Sequence, residues 1–269
     1  MLDHFFHDQL SLGWAQAATA ALLALVVVVI ARLQAIHIEK DTIIALLRAI
    51  IQIVAVGSVL IVLLQGPGWT ALPVLAAMMV AAAITARQRV HDIPHAFTVS
   101  LYGIGVGSGV VMALMTWVGV IDSAITSVVP IGSMLIYRAM VTNGLALDRF
   151  KAEVAANAGL IEAKLSLGAQ PNHVVGPYVQ SAVQTGLIPG IDSLRSLGIV
   201  WIPGLMAGMI VSGTDPIYAA VYQFVIMAMS FTVAGLTSVV STVLVRRQAF
   251  SPAAQLRIRP GHSDAANPS

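Results

Sequence analysis

Apolar residues come along this chain in long unbroken runs. They show neither the alternation of half-buried strands nor the narrow stripe of soluble helices. A run of about 20 apolar residues crosses the hydrocarbon core of a bilayer as a helix. Seven runs predict such spans, at 12–31, 43–64, 71–86, 97–119, 128–147, 198–213 and 217–245. The third and sixth are short and the last is long. Between the fifth and sixth lies the one long stretch that is not simply apolar, 148–197. Within it Phe150, Val154, Ala158, Ile161 and Leu165 recur at helical spacing, with Arg149, Lys151, Glu153, Glu162 and Lys164 largely off that stripe. Gly168 is a natural helix stop and Pro171 a natural start. Pro189 and Gly190 are expected to break the chain again before the sixth span. The pattern therefore predicts an all-α integral membrane protein. It has about seven transmembrane helices and one long helical loop.

Composition agrees: of 269 residues, 58% are hydrophobic and only 10% charged, against about 25% charged in soluble domains. The sparse basic residues orient the spans. With the N-terminus outside, the loops after spans one, three, five and seven hold twelve of the fourteen Lys and Arg residues. The other two, Arg48 and Arg138, lie within spans. The outer segments carry only acids, Asp3, Asp8, Asp122 and Asp215. This obeys the positive-inside rule and puts 148–197 and the C-terminus in the cytoplasm. The residues 251–269 are polar, with Pro and Gly, and are expected to be disordered. Residues 1–12 lack Lys and Arg, so no cleavable signal peptide is expected.

Several chemistries are excluded. There is no Gly-x-x-x-x-Gly-Lys-[Ser/Thr] phosphate loop, no Gly-x-Ser-x-Gly and no His-Glu-x-x-His, so no enzyme activity is expected of the chain. Cysteine is absent, which removes disulfides, thiolate metal sites and thiol nucleophiles. The basic residues are scattered rather than patched, so nucleic acid is not a partner. Lys40, Lys151 and Lys164 all lie outside the spans, which argues against a retinal protein.

Within the spans, Arg48 and Gln52 share a helix face. Arg48 lies about one turn from its helix end and can snorkel. Arg138 lies near the midplane, where a charge costs roughly 2.5–3.5 kcal/mol on insertion scales. Asn143 follows five residues later. Arg48, Gln52, Arg138, Asn143, Met206 and Met209 are the candidates for a solute pathway, with a hydrogen bond to a neighbouring helix as the structural alternative for Arg138. Met206 and Met209 carry soft thioethers suited to a metal, though methionine more often fills membrane cores. His91 and His95 have the spacing of a metal pair, but Pro94 lies between them. Asp3, His4, His7 and Asp8 form an outer polar cluster.

The chain resembles the iron-export-type permease family of ABC transporters, which takes in bacterial FetB-like proteins and plant aluminium-tolerance relatives. The resemblance rests on Glu39-Lys40-Asp41, Arg48-Ala49-Ile50-Ile51-Gln52 and Gly57. It continues in Lys164-Leu165-Ser166-Leu167-Gly168-Ala169, Leu187-Ile188-Pro189, Asp192-Ser193 and Pro203-Gly204-Leu205-Met206-Ala207-Gly208. It ends in Gly213-Thr214-Asp215-Pro216 and Tyr222-Gln223. The resemblance implies a permease domain over 1–250 in the cell (inner) membrane. It would export a metal such as iron, pair with a second copy and be driven by a separately encoded ATPase. ATP and Mg would bind that partner and no cofactor this chain. Glu162, Lys164, Leu165, Ser166, Leu167, Gly168 and Ala169 would then form the ATPase-coupling site, similar in spacing to the start of the EAA loop of ABC importers. The later Ile-x-Leu-Pro of that loop is not matched in place. The sequence also departs from the family where Tyr137-Arg138 replaces a small residue and Asn, and where Gln170 replaces a Thr before the proline. A fixed positive charge at Arg138 repels a bare cation and suits an anion or a chelate. The residues alone leave open an ABC permease for a small organic anion, an ion-coupled secondary transporter or channel without an ATPase, and a seven-helix receptor. The receptor is disfavoured by outer loops too short for a ligand platform.

Overall fold

The computed structural model describes residues 9–34, 39–64, 66–90, 95–251 and 255–258. Those residues are helical, with two isolated β-bridges and no strand. The chain divides into two compact units, Met1–Gly66 and Pro67–Ser269. The outer cluster Asp3, His4, His7 and Asp8, together with His91, lies outside the described residues, while His95 caps a helix with a left-handed backbone.

The first unit is a pair of helices, α1 (Gln9–Leu33) and α2 (Glu39–Leu64). Leu22, Leu23, Ile51 and Ile53 stand exposed on them, as lipid-facing side chains do. A groove between the two is lined by Ala17, Ala20, Ala21, Ala49, Gln52 and Ile53.

The second unit holds α3 (Ala71–Arg89), α4 (Ala96–Trp117), α5 (Ile125–Ala156), α6 (Ala158–Ser166), α7 (Pro171–Val174), α8 (Gly176–Ser196), α9 (Gly204–Val211) and α10 (Pro216–Gln248). Helix α10 packs against α4, α5, α8 and α9, and α3 covers α4 and α5. At 32 residues, α5 is about 48 Å long. That exceeds the ~30 Å hydrocarbon core, so its charged end carries on beyond the apolar stretch. Around that end Phe150, Val154, Ile161, Val174, Val175 and Val245 form one buried cluster. The stripe read from the sequence is what holds α6 and α7 to the bundle.

Three sequence expectations are corrected. The stretch 148–197, read as one long helical loop, holds the end of α5, α6, α7 and the 21-residue α8, which packs along α5 and α10. Pro189 and Gly190 do not break it: Pro189 lies inside the helix. Conversely, the sixth apolar run contains only α9, eight residues long. At about 12 Å it is too short to cross a bilayer. The tail is not wholly loose either. Leu256 and Ile258 are buried in the inner cluster, and Arg257 N–H donates to the Ala249 carbonyl at 2.8 Å.

Candidate functional site

The expected coupling residues lie together on α6 and its exit. Ile161 is fully buried and Leu165 packs against the inner cluster. Glu162, Lys164, Ser166, Gly168 and Ala169 face outward, as does Leu167 with 87% of its surface exposed. Gly168 has φ +87°. Its N–H donates to the Leu165 carbonyl at 3.0 Å, and the Ala169 N–H to the Lys164 carbonyl at 3.0 Å. This pair of bonds is the Schellman helix ending, which puts a left-handed residue just past the cap. Two residues later Pro171 opens α7, and Gln170 before it makes no side-chain cap. The result is a rigid turn that displays Leu167 and Leu160 to the surroundings.

Arg138 is half-buried on α5. Its Nη2 donates to the Ser193 hydroxyl of α8 at 3.3 Å, and that hydroxyl donates to the Pro189 carbonyl at 2.7 Å. Further contacts fix the register of the two helices. The Arg149 Nε–H donates to the Ser181 hydroxyl of α8 at 3.4 Å, and that hydroxyl donates to Glu153 at 2.7 Å. A methyl group on Gly186 would touch Thr142 and Ala146. Helix α8 thus runs antiparallel to α5, and its Asp192 and Arg195 come within about a turn of the level of Arg138. These two make an exposed pair at 4.0 Å. Sequence reading missed both by assigning them to a loop.

Asn143 faces another way. It is fully buried, and its Nδ2 donates to the Ser100 hydroxyl of α4 at 2.8 Å. Its Oδ1 and the Ser241 and Thr237 hydroxyls have no hydrogen-bond partner. This cluster sits where Gly103 and Gly107 of α4 meet Ser241 and Thr237 of α10. Small residues four apart on both helices let the backbones approach closely. Asn143 thus joins three helices rather than sharing a face with Arg138. Interhelical bonds of this kind average about 0.6 and reach about 1.7 kcal/mol. Asn143→Ala is expected to lower stability by that amount, measured as a denaturation midpoint in detergent. A transport loss with unchanged stability would instead assign Asn143 to the solute path.

The remaining pathway candidates are dispersed. Met209 borders a cavity of about 720 Å³ with Asp122, Thr126, Tyr218 and Tyr222, whereas Met206 is not part of its lining. Tyr218 and Tyr222 stack with ring centres 6.3 Å apart. Arg48 and Gln52 lie exposed on α2 in the first unit, where Gln52 borders the groove and Arg48 does not. Among the described residues no three His, Asp or Glu side chains gather as a metal site.

Comparison with known proteins sets these features in a family. The chain is 33% identical over 241 residues to "Probable iron export permease protein FetB" of Escherichia coli, covering 89% of this chain and 93% of that protein. It is 30% identical over 269 residues to "Protein ALUMINUM SENSITIVE 3" of Arabidopsis thaliana, covering 97% and 98%. It is 32% identical over 222 residues to "UPF0014 membrane protein YjkA" of Bacillus subtilis, covering 82% and 88%. No solved structure matches it. The sequence pattern described as "Uncharacterised protein family (UPF0014)" matches residues 14–250, and this multi-pass membrane protein belongs to that family of membrane permeases.

Proposed function

We propose that this chain is the transmembrane subunit of an ABC exporter, driven by a separately encoded ATPase and acting as a pair of identical copies. The observation that carries the reading is the α6 turn. It is a rigid display of Leu160 and Leu167 at the charged end of the bundle, on a chain with no phosphate-binding loop of its own. Power must then enter through a surface. A small apolar anchor with Glu162 and Lys164 at its rim is what a docking contact needs. The name of the Escherichia coli relative supports iron as the exported metal. Arg138, whose contact is the neutral Ser193 hydroxyl, supports a second reading, in which the cargo is a small organic anion or a chelate.

The chain would sit in the cell (inner) membrane with its N-terminus outside and C-terminus in the cytoplasm. Arg87, Arg149, Lys151, Lys164, Arg246 and Arg247 support this by gathering on the segments taken as internal. Because the protein has no cysteine, single cysteines report cleanly. Ser123→Cys is expected to react with an impermeant thiol reagent in intact cells, and Ser166→Cys only after permeabilisation. The reverse pattern overturns the orientation.

The function itself is tested by purification and reconstitution. The chain is expected to co-purify with an ABC ATPase and to raise its ATP hydrolysis, while hydrolysing none alone. Solute transport in proteoliposomes holding this chain without any ATPase would overturn the reading in favour of a secondary transporter or channel.

A further inference from the structure

Helices α8 and α9 together make one broken crossing. The chain reaches the inner cluster in α6 and α7 and regains the far end of the bundle where α10 begins, with Tyr218 and Tyr222 beside Asp122. Helix α8 climbs along α5, with Ser181 bonded to Glu153 and Ser193 to Arg138. At Ser193 it is still about 20 Å short of the level of Ile125, where α5 begins. The non-helical join 197–203 follows within the apolar length of α5. Gly198, Ile199 and Val200 are exposed there, and bare backbone at that depth has to face water or protein. Broken spans of this kind are where transporters place their solute sites. Beyond the join, α9 packs chiefly on α10, and Leu205 and Met209 border the cavity of about 720 Å³.

That cavity has one sign of charge. Asp122 is the only charged residue in its lining. The carboxylate accepts one hydrogen bond, from the Ala124 N–H at 3.2 Å, and has no basic partner among the described residues. Its charge reaches Tyr222, which stacks on Tyr218. Asp215, at the same end, is already engaged: it accepts from the Ile217 and Tyr218 N–H groups at 2.9 and 3.0 Å, and it does not line the cavity. A free carboxylate beside aromatic rings is chemistry that attracts cations. Among the described residues no three His, Asp or Glu side chains gather here. A cation would therefore keep its water or be an organic ammonium, and would be held weakly. Weak holding suits a place where solute is released.

We propose that this cavity is a cation site on the solute path. Asp122 supplies its charge, Tyr218 and Tyr222 its aromatic wall, and α9 the wall that joins it to the broken crossing. The proposal rests on the reading of the chain as a permease and deepens it: the solute that passes this end is a cation, whereas an anion or an anionic chelate would be repelled.

Thiol protection tests the site with no ATPase, known cargo or assumed orientation. Thr126→Cys, in the cavity lining, is labelled with an uncharged methanethiosulfonate in the full chain in lipid nanodiscs, which leave both faces open. Tetramethylammonium, Mn²⁺ and citrate are the probes, at matched ionic strength. Ser166→Cys, at the inner turn, is the control. One or both cations are expected to slow labelling of Thr126→Cys saturably, about tenfold near ten times the Kd, and to leave Ser166→Cys unchanged. Which cation protects separates an organic ammonium from a metal ion. Asp122→Asn is expected to abolish protection and Asp122→Glu to retain it. Asn can still accept the Ala124 N–H, so folding is preserved. Tyr218→Leu is expected to weaken protection by tetramethylammonium. An unchanged ammonium titration in that variant would remove the tyrosines from the site. Protection by neither cation, protection that survives Asp122→Asn, or protection by citrate alone overturns the proposal. Absence of ATPase co-purification bears on the power source and leaves the labelling result independent.

Discussion

Leu167→Asp is expected to abolish stimulation of the partner ATPase while leaving the permease folded and in the membrane. Leu167 contributes nothing to the core, with 87% of its surface exposed. The turn is held instead by Ile161, Phe150 and Val154 in the inner cluster and by the Schellman bonds from Gly168 and Ala169. A carboxylate in place of the leucine removes the apolar anchor and adds a charge that docking would have to dehydrate. Truncating a contact hot spot costs 2 kcal/mol or more, about a 30-fold loss of affinity. Co-purification and solute-stimulated hydrolysis should fall together, with an unchanged gel-filtration profile for the permease. Gly168→Asp is the less discriminating change. Its left-handed backbone charges any side chain an energy of roughly 1–2 kcal/mol, although no neighbouring atom crowds the position. Gly168→Asn, which tolerates that conformation better, is expected to retain most coupling if the glycine acts only as a helix stop. Full stimulation by a well-folded Leu167→Asp variant would show that the α6 turn is not where the ATPase grips.

The sequence made most of the fold legible where lipid contact and helix length coincide. Helices α1 to α5 and α10 follow from unbroken apolar runs, because a helix facing lipid must be apolar around much of its surface. The inner stripe from Phe150 to Leu165 and the stop at Gly168 were legible because helical periodicity and glycine stereochemistry are local rules. Helix α8 was hidden for a physical reason. Gln180, Gln184, Asp192 and Arg195 lower its hydropathy, and Pro189-Gly190 imitates a break. Hydropathy registers what a helix would expose to lipid and cannot see that α5 and α10 cover much of it. The segment 198–213 failed in the opposite sense: it is apolar enough to span, yet Gly198, Pro203 and Gly213 leave only α9 as helix, and Gly198 and Gly213 both have positive φ. Leu256 and Ile258 were lost in a polar tail because two buried side chains are too few to raise a pattern. The candidate site was legible residue by residue but not as an assembly. Arg138 stood out by its charge, but its partner Ser193 is 55 positions away. Asn143 stood out by its polarity, but its partner Ser100 is 43 positions away. No local rule links such pairs.

Gly107→Leu is expected to leave no recoverable folded protein, because Gly107 sets the distance between the two helices at the centre of the bundle. A Cβ there would overlap the Thr237 hydroxyl and lie 3.0 Å from the Thr237 backbone nitrogen and 3.1 Å from its Cβ. Rotating a side chain relieves the first contact. The other two are relieved only by moving α4 away from α10, and α10 also carries α5, α8 and α9. Gly103 differs in kind: its nearest obstacle is the Ser241 hydroxyl, which makes no hydrogen bond and is free to turn. Overpacking by one methyl costs about 1–3 kcal/mol. Gly107→Ala should therefore lower the denaturation midpoint clearly, and Gly103→Ala less so. Combining Gly103→Ala with Ser241→Ala should restore most of that smaller loss. Adding Thr237→Ala to Gly107→Ala should restore only part of the larger one, since the backbone contact persists. Gly105→Ala, with nothing within 4 Å of its added methyl, provides the control and is expected to match or slightly exceed the parent. The measurement is the fraction remaining monodisperse after heating in detergent. Equal stability of the Gly105→Ala and Gly107→Ala variants would mean that α4 and α10 do not pack through Gly107 and Thr237. The close glycine contact would then not be what holds the core together.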